Sequence, residues 1–133
     1  MSDHVTDTHA LIWYLEDSPQ LGTNANQVFT ACEQGELVIW VPTICLVEII
    51  YLQERNRISA DLKAQFDAEL QAGNSGLVLA DLTAEVVEAL EQVPRNLVPD
   101  MPDRIIVATA LSLDLPLITR DGRIRMAAVN TVW

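Results

Sequence analysis

Four short strand-like runs recur along the chain, three of them predominantly apolar and the first with Val5 inward, and each is followed by a segment of helical periodicity. They are "HVTD" (4–7), "ELVIWV" (36–41), "GLVLADL" (76–82) and "LPLIT" (115–119). Short runs that stay apolar, rather than alternating with polar residues, suit strands covered on both faces. The segments between them read as helices: 9–16, 24–35, 42–57, 59–73, 83–93 and 98–114. Gly35 and Gly73 stop the second and fourth of these, Ser59 caps the fourth and Thr83 the fifth, and Pro42 and Thr43 open the third. "RDGRIRMAA" (120–128) reads as a turn and short helix, and "VNTVW" as a terminal strand. Parallel strands need crossovers long enough to hold a helix. The alternation therefore predicts an α/β fold, a three-layer α/β/α sandwich with a mostly parallel central sheet. The length of 133 residues suits one domain spanning 1–133.

Charge narrows the function. The chain carries 19 acids against 8 bases, a net charge of −11. That excludes a general nucleic-acid binder with a broad basic face. It leaves room for a local basic patch, since Arg95, Arg104, Arg120, Arg123 and Arg125 gather in the last third. Arg55 and Arg57 form a second small group, and Lys63 is the only lysine. An acidic surface also suits a basic partner protein. Cys32 and Cys45 match no metal spacing and read as reduced core thiols. The start "MSDHVTD" has no basic leader, and no apolar run is long enough to span a bilayer. The expectation is a soluble cytoplasmic protein with no membrane partner.

In parallel sheets, functional groups collect at the carboxyl ends of the strands. Asp7 ends the first strand, and Asp121 lies just past the run ending in Thr119. Asp103 falls in the first turn of the helix before that last strand. Glu48 interrupts the apolar run "ICLVEIIYL", and its flanks Val47, Ile49 and Ile50 point it inward. Each acid also has a purely structural explanation. Asp7 can cap the next helix, and Asp103 suits a helix dipole. Asp121 before Gly122 suits a turn, and Glu48 can pair with a cation. A single carboxylate cluster at the strand ends accounts for all four together. Such a cluster takes a hard divalent ion, Mg²⁺ or Mn²⁺, through oxygen, and nothing suggests zinc. The ion would activate water and stabilise a phosphoryl transition state, with Arg104 and Arg120 steadying the substrate backbone. His4 and His9 are read as supporting or exposed residues.

The segments "VTDTHALIWYLEDSPQLG", "VPTICLVEIIYL", "DMPDRIIVATAL" and "LPLITRD" resemble, in order and across essentially the whole chain, PIN-domain proteins of the VapC toxin type. The resemblance implies a small PIN-like α/β/α fold. It also implies an Mg²⁺- or Mn²⁺-dependent endoribonuclease, the toxin half of a toxin–antitoxin pair. Asp7, Glu48 and Asp103 would be the core metal-binding acids, with Asp121 completing the set. Thr119 would hydrogen-bond within the site, and Thr8 or Thr43 would support it. RNA would be the substrate, a cognate antitoxin protein the partner, and a homodimer the assembly. Relatives commonly read Asp-Pro-x-Asp in the third segment; here the proline comes one residue later. A proline disfavours an α conformation for Met101, which places Asp100 in the loop before the helix.

Other readings meet obstacles in the residues. A receiver domain needs a lysine at the site, and Lys63 sits mid-helix. A dehalogenase-like phosphatase needs a second aspartate where "DTH" has His9. A PIN-fold RNA-processing nuclease would need the same acids, and an inactive PIN-like binding module would not.

Overall fold

The computed structural model describes residues 1–127 and 129–133. Ala128, the end of the short helix expected over 120–128, lies outside the described residues. Five strands form one sheet: β1 (His4–Thr6), β2 (Ile39–Pro42), β3 (Leu77–Ala80), β4 (Leu117–Ile118) and β5 (Thr131–Val132). Their order is β3-β2-β1-β4-β5, and every pairing is parallel. All three residues of β1 are buried, as a central strand covered on both faces requires. Its centre is fixed by Val5 pairing with Trp40 on one side and Leu117 on the other.

Among the described residues, six α-helices make the outer layers: α1 (Thr8–Leu15), α2 (Thr23–Glu33), α3 (Thr43–Glu54), α4 (Leu62–Ala72), α5 (Ala84–Leu90) and α6 (Met101–Leu113). A 3-10 turn covers Ile124–Met126. Their ends follow local chemistry. Thr83 caps α5 by accepting from the Val86 amide. Gly73 ends α4 in the left-handed conformation that glycine adopts without a Cβ penalty. Ser59 does not cap α4. Its hydroxyl accepts from the Asp61 amide in a preceding turn, and the helix begins at Leu62.

One core joins the layers, with Phe29, Phe66, Ile39, Ile49 and Ile106 fully buried. At roughly 2 kcal/mol for each large apolar side chain removed from water, this core is the main stabilising term. Cys32 and Cys45 are free thiols buried in it. Burial holds the Cys45 thiol well above the usual range, so it stays protonated. Among the described residues, no helix is long and apolar enough to cross a membrane.

The strand order has one consequence for function. The chain leaves β1 toward β2 and β3, then crosses back over β1 to build β4 and β5 on its other side. The connections diverge at the carboxyl ends of β1 and β4. That is where a parallel sheet opens a crevice.

Candidate active site

A cavity of about 490 Å³ occupies this crevice, lined by Asp7, His9, Trp13, Glu48, Asp100, Asp103, Arg120, Asp121, Ile124 and Trp133. Asp7 arrives directly from β1. It is the N-cap of α1, with Oδ1 accepting from the Ala10 amide at 2.9 Å. The capping explanation of Asp7 and the cluster explanation therefore hold at once: the cap fixes a carboxylate that also lines the cavity. Glu48 enters from α3, anchored by the Thr8 hydroxyl, which donates to its Oε1. Thr8 thus links the residue after Asp7 to the acid on a different helix.

Asp103 and Asp100 enter together at the start of α6. Asp100 is the N-cap, accepting from the Asp103 amide, and Pro102 occupies a first-turn position whose missing N–H costs nothing there. The helix begins at Met101, so the proline after it does not hold that residue out of the helix. Capping by Asp100 sets the boundary one residue earlier than the proline alone would. Asp100 itself lines the cavity.

From β4 come Thr119 and Asp121. Thr119 is fully buried; its hydroxyl accepts from the Asp121 amide, and its nearness to Asp7 lowers that carboxyl. Asp121 accepts from the Arg123 amide at 2.9 Å, which shapes the turn, and it still borders the cavity.

The electrostatics follow from placing these groups together. Burial, then the charges of Asp100, Glu48, Asp7 and Asp121, push the Asp103 carboxyl up to about 7. Glu48 is also raised, first by burial and then by Asp100 and Asp7, against the lowering effect of the Thr8 hydroxyl. Asp7 is raised by burial, partly offset by Thr119, the Ala10 amide and His9. Carboxylates that resist ionisation beside one another mark a place where a positive charge would be held. Their donors are all oxygen, which suits a hard cation. Among the described residues, no three His, Cys, Asp or Glu side chains form a ready-made ligand set. The acids ring an open cavity rather than closing on one point. That is compatible with Mg²⁺, which commonly takes one or two carboxylates and completes its shell with water and substrate phosphate.

Several expected positions are corrected. Arg104 does not line the cavity. Its Nη2 donates to the Leu90 and Val93 carbonyls, both at 3.1 Å, tying α6 to the end of α5. Consecutive helical residues diverge by about 100°, so the neighbour of Asp103 faces a different layer. Glu48 is only half-buried, and Val47 and Ile50 beside it are exposed. His4 is a buried strand residue whose Nδ1 meets the Ser2 carbonyl. Thr43 starts α3 and does not reach the cavity. Lys63 lies in the first turn of α4, paired with Asp67, so no lysine borders the acids among the described residues. Arg120 does border them, its guanidinium 4.7 Å from the Trp13 ring centre. Trp13 and Trp133 are lining residues with no local signal in the sequence, because only the folded chain brings them together.

A parallel five-stranded sheet with a carboxylate-ringed crevice beside its central strand defines an α/β protein of the PIN-like class. The PIN domain family model matches residues 5–130, and the chain belongs to that family. It is 25% identical over 125 residues to ribonuclease VapC22 of Mycobacterium tuberculosis, covering 94% of this chain and 92% of that protein. Its fold is similar to VapBC2 from Rickettsia felis bound to a promoter DNA fragment. The TM-score there is 0.73 at 13% identity, over 98% of this chain and 97% of the other. DNA-bound VapBC from Salmonella typhimurium gives a TM-score of 0.68 at 18% identity, over 99% and 98% of the two chains.

Proposed function

We propose that the protein is a VapC-type endoribonuclease, the toxin of a toxin–antitoxin pair. It would hydrolyse RNA phosphodiesters in the cytoplasm with Mg²⁺ or Mn²⁺ held by Asp7, Glu48, Asp103 and Asp121. The observation that carries this reading is the convergence of those acids on one crevice, with Asp103 pushed up to about 7 by burial and its acidic neighbours. The family and the VapC22 relative support the choice of RNA as substrate.

When bound, the cation supplies Lewis-acid stabilisation of the phosphoryl group and acidifies a water. The chain's own residues set up the rest. Asp7 is fixed by its cap bond to the Ala10 amide and Glu48 by Thr8, so two carboxylates are held in place before substrate arrives. Asp103, held high without the ion by burial and its acidic neighbours, is the carboxylate that the cation's charge would relieve most, binding as the ionised form. Arg120, the only Lys or Arg among the described lining residues, supplies the positive charge toward the phosphate backbone.

Partner contacts follow from the surface. The exposed Val47, Ile50 and Tyr51 on α3 form an apolar strip suited to a homodimer contact. The net charge of −11 suits a basic antitoxin segment, and the matched VapBC complexes support such a partner.

The test is cleavage of total bacterial RNA by antitoxin-free protein, with Mg²⁺, with Mn²⁺ and with chelator, beside Asp7→Asn. Discrete fragments that need the metal and vanish in the variant are expected. Cleavage that persists in chelator or in Asp7→Asn would overturn the assignment.

A further inference from the structure

The cavity that holds the acids is also lined by His9, Trp13 and Trp133, and nothing in the carboxylate chemistry requires these rings. Trp13 and Trp133 meet edge to face, with ring centres 5.6 Å apart. His9 lies 5.5 Å from Trp13 at a tilt, and the Arg120 guanidinium covers another part of the same ring. Trp13 is 9% exposed and acts as the backing of the wall, whereas Trp133 and Arg120 retain solvent-facing surface.

Gly22 shows that the position of Trp133 is built in. Its backbone, φ −62 and ψ 157, is one that any residue adopts, so glycine is not there for conformational freedom. It is also the N-cap of α2, where Ser, Thr, Asp or Asn would bond the first turn and Gly cannot. A Cβ at this position would stand 2.6 Å from the Trp133 carbonyl carbon and 2.7 Å from its ring. The missing side chain makes room for Trp133. The indole thereby packs between Gly22 and Trp13.

We infer that Trp133 and Arg120, backed by Trp13, form a stacking platform for one unpaired nucleobase of the RNA, beside the carboxylates that act on its backbone. Every base has a π-face, and aromatic rings and guanidinium planes are the surfaces on which proteins stack unpaired bases. An acidic chain cannot hold RNA by broad phosphate attraction. Stacking supplies affinity that the net charge does not oppose. It also restricts the substrate to nucleotides that can leave a duplex, as in loops and single strands. The inference rests on the ribonuclease reading and adds the group that positions the substrate.

The test starts from the site mapped by cleavage of total RNA. If wild-type protein cuts no RNA in the presence of metal, the ribonuclease reading fails and the platform falls with it. If it cuts, a labelled fragment of about twelve nucleotides spanning the cut is bound to the cleavage-deficient Asp7→Asn protein with Mg²⁺. Adding Trp133→Ala is expected to weaken binding roughly tenfold, whereas Trp133→Phe retains most of it. Removing the flanking base to leave an abasic ribose should abolish the difference between the protein that keeps Trp133 and the Trp133→Ala variant. Equal affinity of these two proteins for the intact fragment, or a loss that persists on the abasic RNA, overturns the platform while leaving the nuclease intact. A second measurement does not depend on folding of the Trp133 variants. 2-Aminopurine is placed in turn at each position flanking the cut and bound to Asp7→Asn protein. Strong quenching at one position is expected; no quenching at any position overturns the proposal. Trp133→Ala that weakens binding of a basic antitoxin peptide but not of RNA would assign the wall to the protein partner instead, and would likewise overturn it.

Discussion

Removing the charge of Asp103 should stabilise the protein in the absence of metal. Asp103→Asn keeps the side-chain shape and leaves the backbone amide that Asp100 accepts from. Moving an aspartate from its ordinary 3.8 to about 7 corresponds to roughly 4 kcal/mol at full weight. The side chain is partly exposed, so screening by water reduces this to ~1–2 kcal/mol. Loss of a negative charge in the first turn of α6 costs about 0.3–1 kcal/mol through the helix dipole. The cost of burying the charge, together with repulsion within the cluster, outweighs the dipole, leaving a net gain of about 1 kcal/mol, or roughly 3–5 °C in Tm for a chain of this size. The sign with pH follows from the raised folded-state value. Stability from the protonated carboxyl is complete below its ordinary value of 3.8 and is lost as pH rises through about 7. The variant should therefore outlast wild type most clearly at pH 8, and the gap should narrow as pH falls to 5. Thermal denaturation in chelator at pH 5 and pH 8 reads both. With excess Mn²⁺ at pH 8 the order should reverse, because wild type gains the binding energy of the ion. A variant that melts at or below wild type at pH 8 without metal, or a gap unchanged at pH 5, would refute the electrostatic reasoning.

Other perturbations test separate parts of the structure. Arg104→Ala should cost about 2–3 kcal/mol in urea denaturation, because it strips a charged donor from two carbonyls at the end of α5; a loss under ~0.5 kcal/mol would mean the clamp is idle. Thr119→Val should cost ~1–2 kcal/mol and weaken Mn²⁺ binding, since its buried hydroxyl accepts from the Asp121 amide and lowers the Asp7 carboxyl, while Thr119→Ser should retain both properties. Glu48→Gln should lower Mn²⁺ affinity by calorimetry, and unchanged affinity would confine Glu48 to its bond with Thr8. Lowering the pH from 8 to 6 should weaken Mn²⁺ binding in wild type, because protons compete for the raised carboxyls, and a flat profile would contradict the shifts.

The sheet and the acid cluster are legible in the sequence for local reasons. Strands β2, β3 and β4 are short apolar runs, and the stops at Gly35 and Gly73 and the cap at Thr83 sit within a residue or two of the observed ends. Asp7 and Asp121 stand out because parallel-sheet geometry names the strand ends. Glu48 stands out because a carboxylate interrupts an apolar run, yet its surroundings differ from the expectation. Helix α3 is apolar on several sides, so periodicity alone does not say that Val47 and Ile50 face solvent. Arg104 looks like a site residue through adjacency to Asp103, which a helix converts into divergence. Trp13, Trp133 and Gly22 meet only in the folded chain, and nothing local in the sequence joins them.

The central claim, that these carboxylates hold a divalent cation, is tested most directly by Mn²⁺ binding to chelator-stripped protein at pH 8, followed by calorimetry or by loss of the free-ion paramagnetic signal. Saturable binding in wild type is predicted, strongly weakened in Asp7→Asn and in Asp103→Asn while both variants remain folded. Binding of equal strength in wild type and both variants would place the ion elsewhere and contradict the account.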